Sequence, residues 1–170
     1  MTGRDMDNAA SVAATSAASS FAASPAALPL RVVLDTNVLL SLYVFADSRF
    51  APLRVRLECG EWRAVCSPAC LDEFRRVLGY PQFKLDLAAQ AAAYAAYAER
   101  IELATPRGMA ALPGLPRCQD RDDQKFLEAA RDGAAAWLVT ADKALLKLAR
   151  GRRLDGLFRI LTPEAALAVT

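Results

Sequence analysis

The sequence predicts a three-layer α/β domain, in which helices cover both faces of a central parallel sheet of about four to five strands. The main observation is that short apolar runs of strand type alternate along the chain with segments that have helix-forming patterns. In addition, 54% of the 170 residues are apolar, which is enough for one sizeable core in a single soluble domain.

Residues 1–28 are rich in alanine and serine and show no apolar periodicity. We therefore expect a disordered tail ahead of a domain at 29–170. Asp5 and Asp7 against the single Arg4 argue against a signal peptide, which has a basic start. No later segment offers the roughly 18 uncharged apolar residues that span a membrane. We expect a cytoplasmic protein without membrane association.

The first half of the domain shows two strand patterns, each followed by helix patterns. The β-branched run at 31–35 leads into a helix pattern at 36–45, and a further helix is expected at 54–61. A second strand is expected at 62–67. The helix at 68–79 has a proline in its first turn and a glycine at its end, which are typical boundary residues.

The second half continues the alternation after a loop rich in proline and glycine. In order, we expect an alanine-rich helix at 85–103, the loop, a helix opened by an acidic cluster and stopped by Gly133, a strand at 135–140, a helix at 141–150, a strand at 157–162 and a short helix at 163–169. Strands that alternate with helices in this way form parallel sheets.

The residue types that are present limit the chemistry. The chain has no histidine, which excludes histidine-based triads and imidazole metal ligands. Its cysteines, Cys59, Cys66, Cys70 and Cys118, lack a CxxC spacing, so we expect reduced thiols rather than a metal or disulfide site. The formal net charge of +2 gives no strong overall field, so any binding of nucleic acid must depend on local clusters.

Four acidic side chains from distant segments are expected to meet at the carboxyl ends of the strands, where open α/β sheets bind ligands. Asp35 closes the first strand, and Asp142 follows the strand at 135–140. Asp123 begins the helix before that strand, and Glu73 lies in the helix after the second strand. Carboxylates so close repel one another unless a cation is bound, and Mg²⁺ or Mn²⁺ suits such ligands.

Each acid also has a purely structural interpretation. Asp35 suits a turn at the end of a strand, Glu73 a solvated helix surface, and Asp142 a helix N-cap. Two further acids of the cluster, Asp120 and Asp122, are expected to be caps or loop residues. The combination of all four positions, rather than any one of them, favours a metal site.

Four segments in this order resemble the PIN-domain ribonucleases, especially the bacterial branch of toxin components from toxin-antitoxin systems: LDTNVLLS, SPACLDEFRRVL, CQDRDDQKFLEAA and LVTADKALL. The similarity covers residues 31 to about 163. It implies a PIN-like fold and a metal-dependent endoribonuclease with a quartet of acids that binds Mg²⁺ or Mn²⁺. The acids of that quartet fall on Asp35, Glu73, Asp123 and Asp142.

Hydroxyl and amide side chains adjoin these acids in the sequence. Thr36, Asn37 and Thr140 are placed to hydrogen-bond the carboxylates or a substrate phosphate. For Asn37 the alternative is a helix N-cap.

Basic residues follow the last acid at helical spacing: Lys143, Lys147 and Arg150. They are candidates for contacts with an RNA backbone, and a solvated helix face is the alternative. Three others interleave with the acidic cluster and are expected to offset its charge: Arg117, Arg121 and Lys125.

The resemblance also implies an RNA substrate, a small antitoxin protein as partner, and self-association into a homo-oligomer. The alternative is a non-catalytic PIN-like adaptor that binds RNA or protein, although such adaptors commonly lack one or more of the acids. A phosphatase of the haloacid dehalogenase type is disfavoured because it needs a second aspartate where this chain has Asn37. The segment LVTADK also lacks the arrangement of a receiver domain.

Overall fold

A five-stranded, all-parallel sheet forms the centre of the computed structural model, which describes residues 28–105 and 114–169. The strands are β1 (Leu30–Leu34), β2 (Trp62–Cys66), β3 (Ile101–Leu103), β4 (Trp137–Val139) and β5 (Arg159–Leu161), in the order β3-β2-β1-β4-β5. The predicted α/β class and parallel sheet are confirmed. Most of the predicted tail, and the prolines at 106 and 113, lie outside the described residues.

The helices of the described part flank the sheet. They are α1 (Thr36–Tyr43), α2 (Ala51–Glu58), α3 (Pro68–Leu78), α4 (Leu87–Ala98), α5 (Gln124–Asp132), α6 (Lys143–Leu148) and α7 (Pro163–Ala168). Short 3-10 helices lie at Pro81–Phe83 and Arg152–Leu154. Within the described ranges, no helix is both long enough and apolar enough to cross a membrane.

The strand order places β1 at the centre, between β2 and β4. The chain runs outward from β1 through β2 to β3, and then returns to form β4 and β5 on the other side. The order therefore reverses between β1 and β4. In open parallel sheets a crevice for ligands opens beyond the carboxyl ends of the strands at this point. Asp35 directly follows β1 there, and Thr140 directly follows β4.

The core lies along the central strands, because β4 and the last three residues of β1 are buried. Helix α5 packs against β1, β2 and β4 through a face with buried Phe126 and Leu127. Gly133 ends α5, as predicted, but its φ of −83° is ordinary for any residue. The glycine is needed for space, because a Cβ at this position would lie 2.1 Å from Cγ1 of Val65 in β2.

The helix predicted at 85–103 is wrong at its carboxyl end. Helix α4 stops at Ala98, and residues 101–103 form the edge strand β3, which pairs with β2. The alanine-rich composition suggested a longer helix. Pairing with β2 overrides that preference, and a bidentate ion pair between Glu102 and Arg31 of β1 further fixes β3 on the sheet.

Candidate active site

Asp35 lies at the end of β1 with a side chain that is only 3% exposed. Its Oδ1 accepts a hydrogen bond from the backbone N–H of Asn37 at 2.6 Å, so Asp35 is the N-cap of α1. Its Oδ2 accepts from the hydroxyl of Thr140, which is itself completely buried. The N-cap considered for Asn37 is therefore provided by Asp35, and Asn37 is left exposed in the first turn.

The pKa of Asp35 is raised above its usual value, mainly by burial. The hydrogen bonds from Thr140 and Asn37 lower this pKa, whereas the neighbouring charges of Asp142 and Glu73 raise it. Three of the predicted acids therefore interact at the end of β1, although they come from different segments of the chain.

Asp142 is the N-cap of α6. Its Oδ1 accepts from the backbone N–H groups of Ala144 at 2.6 Å and Leu145 at 3.1 Å. Its own backbone N–H donates to Oγ1 of Thr140 at 2.9 Å. Thr140 thus connects the two acids. Its hydroxyl donates to Asp35, and the oxygen of that hydroxyl accepts from the backbone N–H of Asp142. The structural interpretation of Asp142 as a cap is observed, and it leaves Oδ2 without a hydrogen bond from any described residue.

Glu73 reaches this site from α3, which begins with the cap Ser67 and with Pro68 at its first position. Its Oε1 accepts from the hydroxyl of Thr36 at 2.7 Å, and its Oε2 forms an ion pair with Nζ of Lys125. The Glu73 and Lys125 side chains are 16% and 18% exposed. Glu73 is therefore a partly buried, paired residue of the site rather than a solvated one.

Asp123 stands at the N-cap position of α5 but makes no capping hydrogen bond. The pKa of its half-buried carboxyl is raised to about 6, first by burial and then by the charges of Asp142, Asp120 and Asp35. Asp120 behaves differently, because its Oδ1 accepts from the backbone N–H of Asp122 at 2.8 Å and so shapes the loop. Helix capping consequently does not explain Asp123.

The chemistry of these side chains suits a hard divalent cation, since the donors are carboxylate oxygens. In residues 28–105 and 114–169, however, no three aspartate, glutamate, cysteine or histidine side chains are grouped closely enough to hold one ion. Protein donors already hold the carboxylates of Asp35, Glu73 and Asp142. The repulsion that raises the pKa of Asp123 would be relieved by a bound cation.

The basic residues predicted for RNA contact lie on and just after α6, the helix that Asp142 caps. They line one surface cavity of about 310 Å³: Lys143, Lys147 and Arg150. Lys147 also lines a neighbouring cavity of about 500 Å³ together with Arg117 and Arg153. A larger cavity of about 750 Å³ lies around β4, β5 and the segment that connects them, and Arg159 is the one basic residue of its lining. None of the four acids lines any of these three cavities. Because a phosphodiester is recognised by positive charge, the surface along α6 is the better candidate for contact with an RNA backbone.

The contact between Lys125 and Glu73 was not predicted from the sequence. Lys125 was expected to offset the acidic cluster, but its ammonium group binds Glu73 of α3 and the backbone carbonyl of Asp122.

All four cysteines are free thiols, three of them buried, and Cys70 lies in the first turn of the helix that carries Glu73.

Comparison with known proteins agrees with this architecture. No curated protein matches the chain. The PIN domain family matches residues 31–144, which is well over half of the 170-residue chain and includes Asp35, Glu73, Asp123 and Asp142. The match extends from β1 into α6, so it spans every element that contributes one of these acids. The chain therefore belongs to the PIN domain family.

Proposed function

We propose that this chain is a metal-dependent endoribonuclease that hydrolyses RNA phosphodiester bonds, and that it is the toxin of a toxin-antitoxin system. Membership of the PIN domain family indicates a nuclease in general terms. The observation that carries the finer proposal is Asp123, a half-buried carboxyl without a capping role, whose pKa is raised to about 6 first by burial and then by the charges of Asp142, Asp120 and Asp35. Such mutual repulsion is typical of sites that bind cations.

The proposed ligands of Mg²⁺ or Mn²⁺ are Asp35, Glu73, Asp123 and Asp142. When bound, the ion supplies positive charge that stabilises the oxygens around phosphorus during an in-line displacement. The protein orients these carboxylates beforehand: Thr140 holds Asp35, and Thr36 holds Glu73. Asn37 is exposed at the start of α1 and is proposed to contact a substrate phosphate.

The RNA backbone is proposed to lie along α6, where Lys143, Lys147 and Arg150 line a cavity. The first of these residues directly follows Asp142 in the sequence. Phosphates bound there would be held by charge without regard to base sequence. A small antitoxin protein and a second copy of the chain are the proposed partners, and the cytoplasm is the proposed location.

The proposal is tested with purified full-length protein and a labelled single-stranded RNA. We expect cleavage with Mn²⁺ or Mg²⁺, none with excess EDTA, and none for the Asp35→Asn variant. Asparagine at position 35 can still cap α1 through its side-chain oxygen, so the circular dichroism spectrum should be unchanged. Asp120→Asn is the matched control, because it removes a carboxylate of the loop and should leave cleavage intact. Cleavage by the Asp35→Asn variant, or equal cleavage with EDTA, refutes the proposal of a metal-dependent nuclease.

One observation favours the alternative of a non-catalytic adaptor: no three acids of the described residues are grouped to hold an ion. An adaptor would bind the same RNA equally well with EDTA or with Mn²⁺ and would never shorten it. A gel-shift measurement beside the cleavage assay separates these two functions. To test the toxin role, the chain and its Asp35→Asn variant are expressed in a bacterial host, and we expect only the unaltered chain to arrest growth.

A further inference from the structure

A small cavity beside Phe50, the Phe50 cavity, adjoins the carboxyl ends of β1 and β4. Its volume is about 290 Å³, and its lining includes Asn37 and Ala141. Asn37 is held next to the end of β1, because its backbone N–H donates to Oδ1 of Asp35 at 2.6 Å. Ala141 is the second residue after β4. The Phe50 cavity therefore lies where an open parallel sheet binds its ligands.

The walls of the Phe50 cavity combine apolar surface with a few polar groups, as the walls of small-ligand sites do. The apolar side chains are Val38, Phe50, Leu146 and Pro163. The volume is at the lower end of the range of about 300–1,000 Å³ that is usual for such sites, so it suits a single ring system. An aromatic side chain such as Phe50 is the kind of surface against which an unstacked RNA base packs. The size and the walls thus fit one nucleobase.

Two polar side chains of the lining can accept hydrogen bonds from a ligand. Glu164 is exposed in the first turn of α7. It interacts electrostatically with the guanidinium of Arg49, which is already paired with Asp47. The hydroxyl of Ser41 donates to the backbone carbonyl of Asn37 at 3.0 Å, so its oxygen remains an acceptor. A ligand that presents donors is therefore favoured on this side of the cavity.

The carboxylate of Glu164 discriminates among the bases, because it accepts hydrogen bonds and donates none. Guanine presents two donors side by side on its Watson–Crick edge, the N1–H and the N2 amino group, and the two oxygens of one carboxylate can accept from both. Adenine, cytosine and uracil each present a single donor group on that edge. The O6 carbonyl of guanine adjoins these donors, and Thr162 has a hydroxyl proton for it, since its oxygen accepts from the backbone N–H of Ala165.

The Phe50 cavity is continuous with the basic surface of α6. Leu146 lines both this cavity and the one formed with Lys143, Lys147 and Arg150. No lysine or arginine in the described part of the chain lines the Phe50 cavity itself, so a phosphate has no positive partner inside it. A nucleotide whose base occupied the cavity would have its backbone beside the cations on the other side of Leu146. This division of the two linings fits one nucleotide of a single strand rather than a free anion.

We propose that the Phe50 cavity binds one unpaired guanine base of the RNA, and that Glu164 selects this base. Asn37, for which contact with a substrate phosphate is proposed, lines the same cavity, so that phosphate is the one attached to the bound guanosine. This inference rests on the proposed function, because it names the base that the RNA substrate presents beside the candidate active site.

The experiment measures binding to the full-length protein in EDTA, by fluorescence anisotropy. The probes are four labelled RNAs of five nucleotides, in which guanine, adenine, cytosine or uracil is the central base between uridines. We expect the guanine RNA to bind about tenfold more tightly than the other three. Glu164→Gln should reduce this difference to about twofold or less. Lys147→Ala should weaken the binding of all four RNAs by a similar factor, because phosphate contacts do not distinguish bases.

Glu128→Gln is the matched control, because it removes an exposed carboxylate of α5 that does not line the cavity. This variant should keep the tenfold preference for guanine. Loss of the preference in Glu128→Gln as well as in Glu164→Gln would be an effect of net charge and would overturn the role of Glu164. Glu164 is exposed, so we expect its substitution to leave the Tm unchanged.

The remaining outcomes separate this inference from the proposed function. Equal affinities for the four RNAs, preference for a base other than guanine, or a guanine preference that persists in Glu164→Gln overturns the inference. If the unaltered chain then still cleaves RNA with Mn²⁺, the proposed function stands without it. Absence of both RNA binding and cleavage overturns the proposed function itself.

Discussion

Replacement of Asp123 by asparagine should stabilise the metal-free protein. The folded structure raises the pKa of this carboxyl from 3.8 to about 6, so its ionised form is disfavoured by about two pKa units. At 1.36 kcal/mol per unit this shift sets an upper limit of about 3 kcal/mol. The side chain is only half-buried, and screening by solvent reduces the effect to about 1 kcal/mol. For a domain of this size we expect a Tm about 2–4 °C higher.

The dependence on pH follows from the direction of the shift. An acid with a raised pKa in the folded state binds its proton more tightly there than in the unfolded chain. The metal-free protein should therefore lose stability as the pH rises from about 4 to about 6, and should bear the full cost above that range. The Tm difference between the variant and the unaltered chain should consequently be largest near pH 7.5 and vanish below about pH 4.

The assay is a thermal melt in EDTA across this pH range, repeated at neutral pH with Mn²⁺. The ion should stabilise the unaltered chain more than Asp123→Asn, because stabilisation grows with affinity and the variant lacks a ligand. Asp120→Asn is the control, since it keeps an oxygen that can accept from the Asp122 N–H. It removes the charge that ranks second, after that of Asp142, among those that raise the pKa of Asp123, so any rise in its Tm should be smaller than in Asp123→Asn. A lower Tm for Asp123→Asn in EDTA, together with an unchanged response to Mn²⁺, would show that Asp123 only stabilises the start of α5.

Three further substitutions have defined outcomes in chemical denaturation. Gly133→Ala should lower the free energy of unfolding by about 1–3 kcal/mol, because its Cβ would overlap Val65 in β2, and an unchanged value would contradict the close packing. Ala134→Gly should raise it by up to about 1 kcal/mol, since Ala134 has a φ of +48°; a decrease would count against strain there. Thr140→Val should lower the free energy of unfolding by about 1–3 kcal/mol at neutral pH and by less near pH 4. The reason is that valine leaves the buried carboxylate of Asp35 without one hydrogen-bond donor. Equal losses at both pH values would argue against this contact.

The sequence was sufficient for the features that depend on local patterns. Strands β1, β2, β4 and β5 were predicted within two residues because each is a short apolar run bounded by turn or cap residues. Their alternation with helices was sufficient to predict a parallel sheet. The rule that ligands bind at the carboxyl ends of such strands then predicted Asp35 and Asp142 near each other, and Thr140 is hydrogen-bonded to both of them.

The features that were missed depend on contacts between distant segments. Strand β3 has three residues, is partly exposed and follows an alanine-rich helix, so its pairing with β2 leaves no local signal. The close approach of Gly133 to Val65 is equally nonlocal, and the glycine alone indicated only a helix end. The ion pair of Lys125 with Glu73 arises because α5 packs on α3, which no spacing in the sequence encodes.

The four acids differ in how firmly the protein holds them, and this difference connects stability with the proposed function. Thr140 and the backbone of α1 fix Asp35, the first turn of α6 fixes Asp142, and Lys125 with Thr36 fixes Glu73. No described residue hydrogen-bonds the carboxyl of Asp123, which stands in the repulsive field of its neighbours. A cation would then need to order little beyond Asp123, because the other carboxylates are held in place before it binds. Asp123 should therefore lower the stability of the metal-free protein and at the same time raise its affinity for the ion.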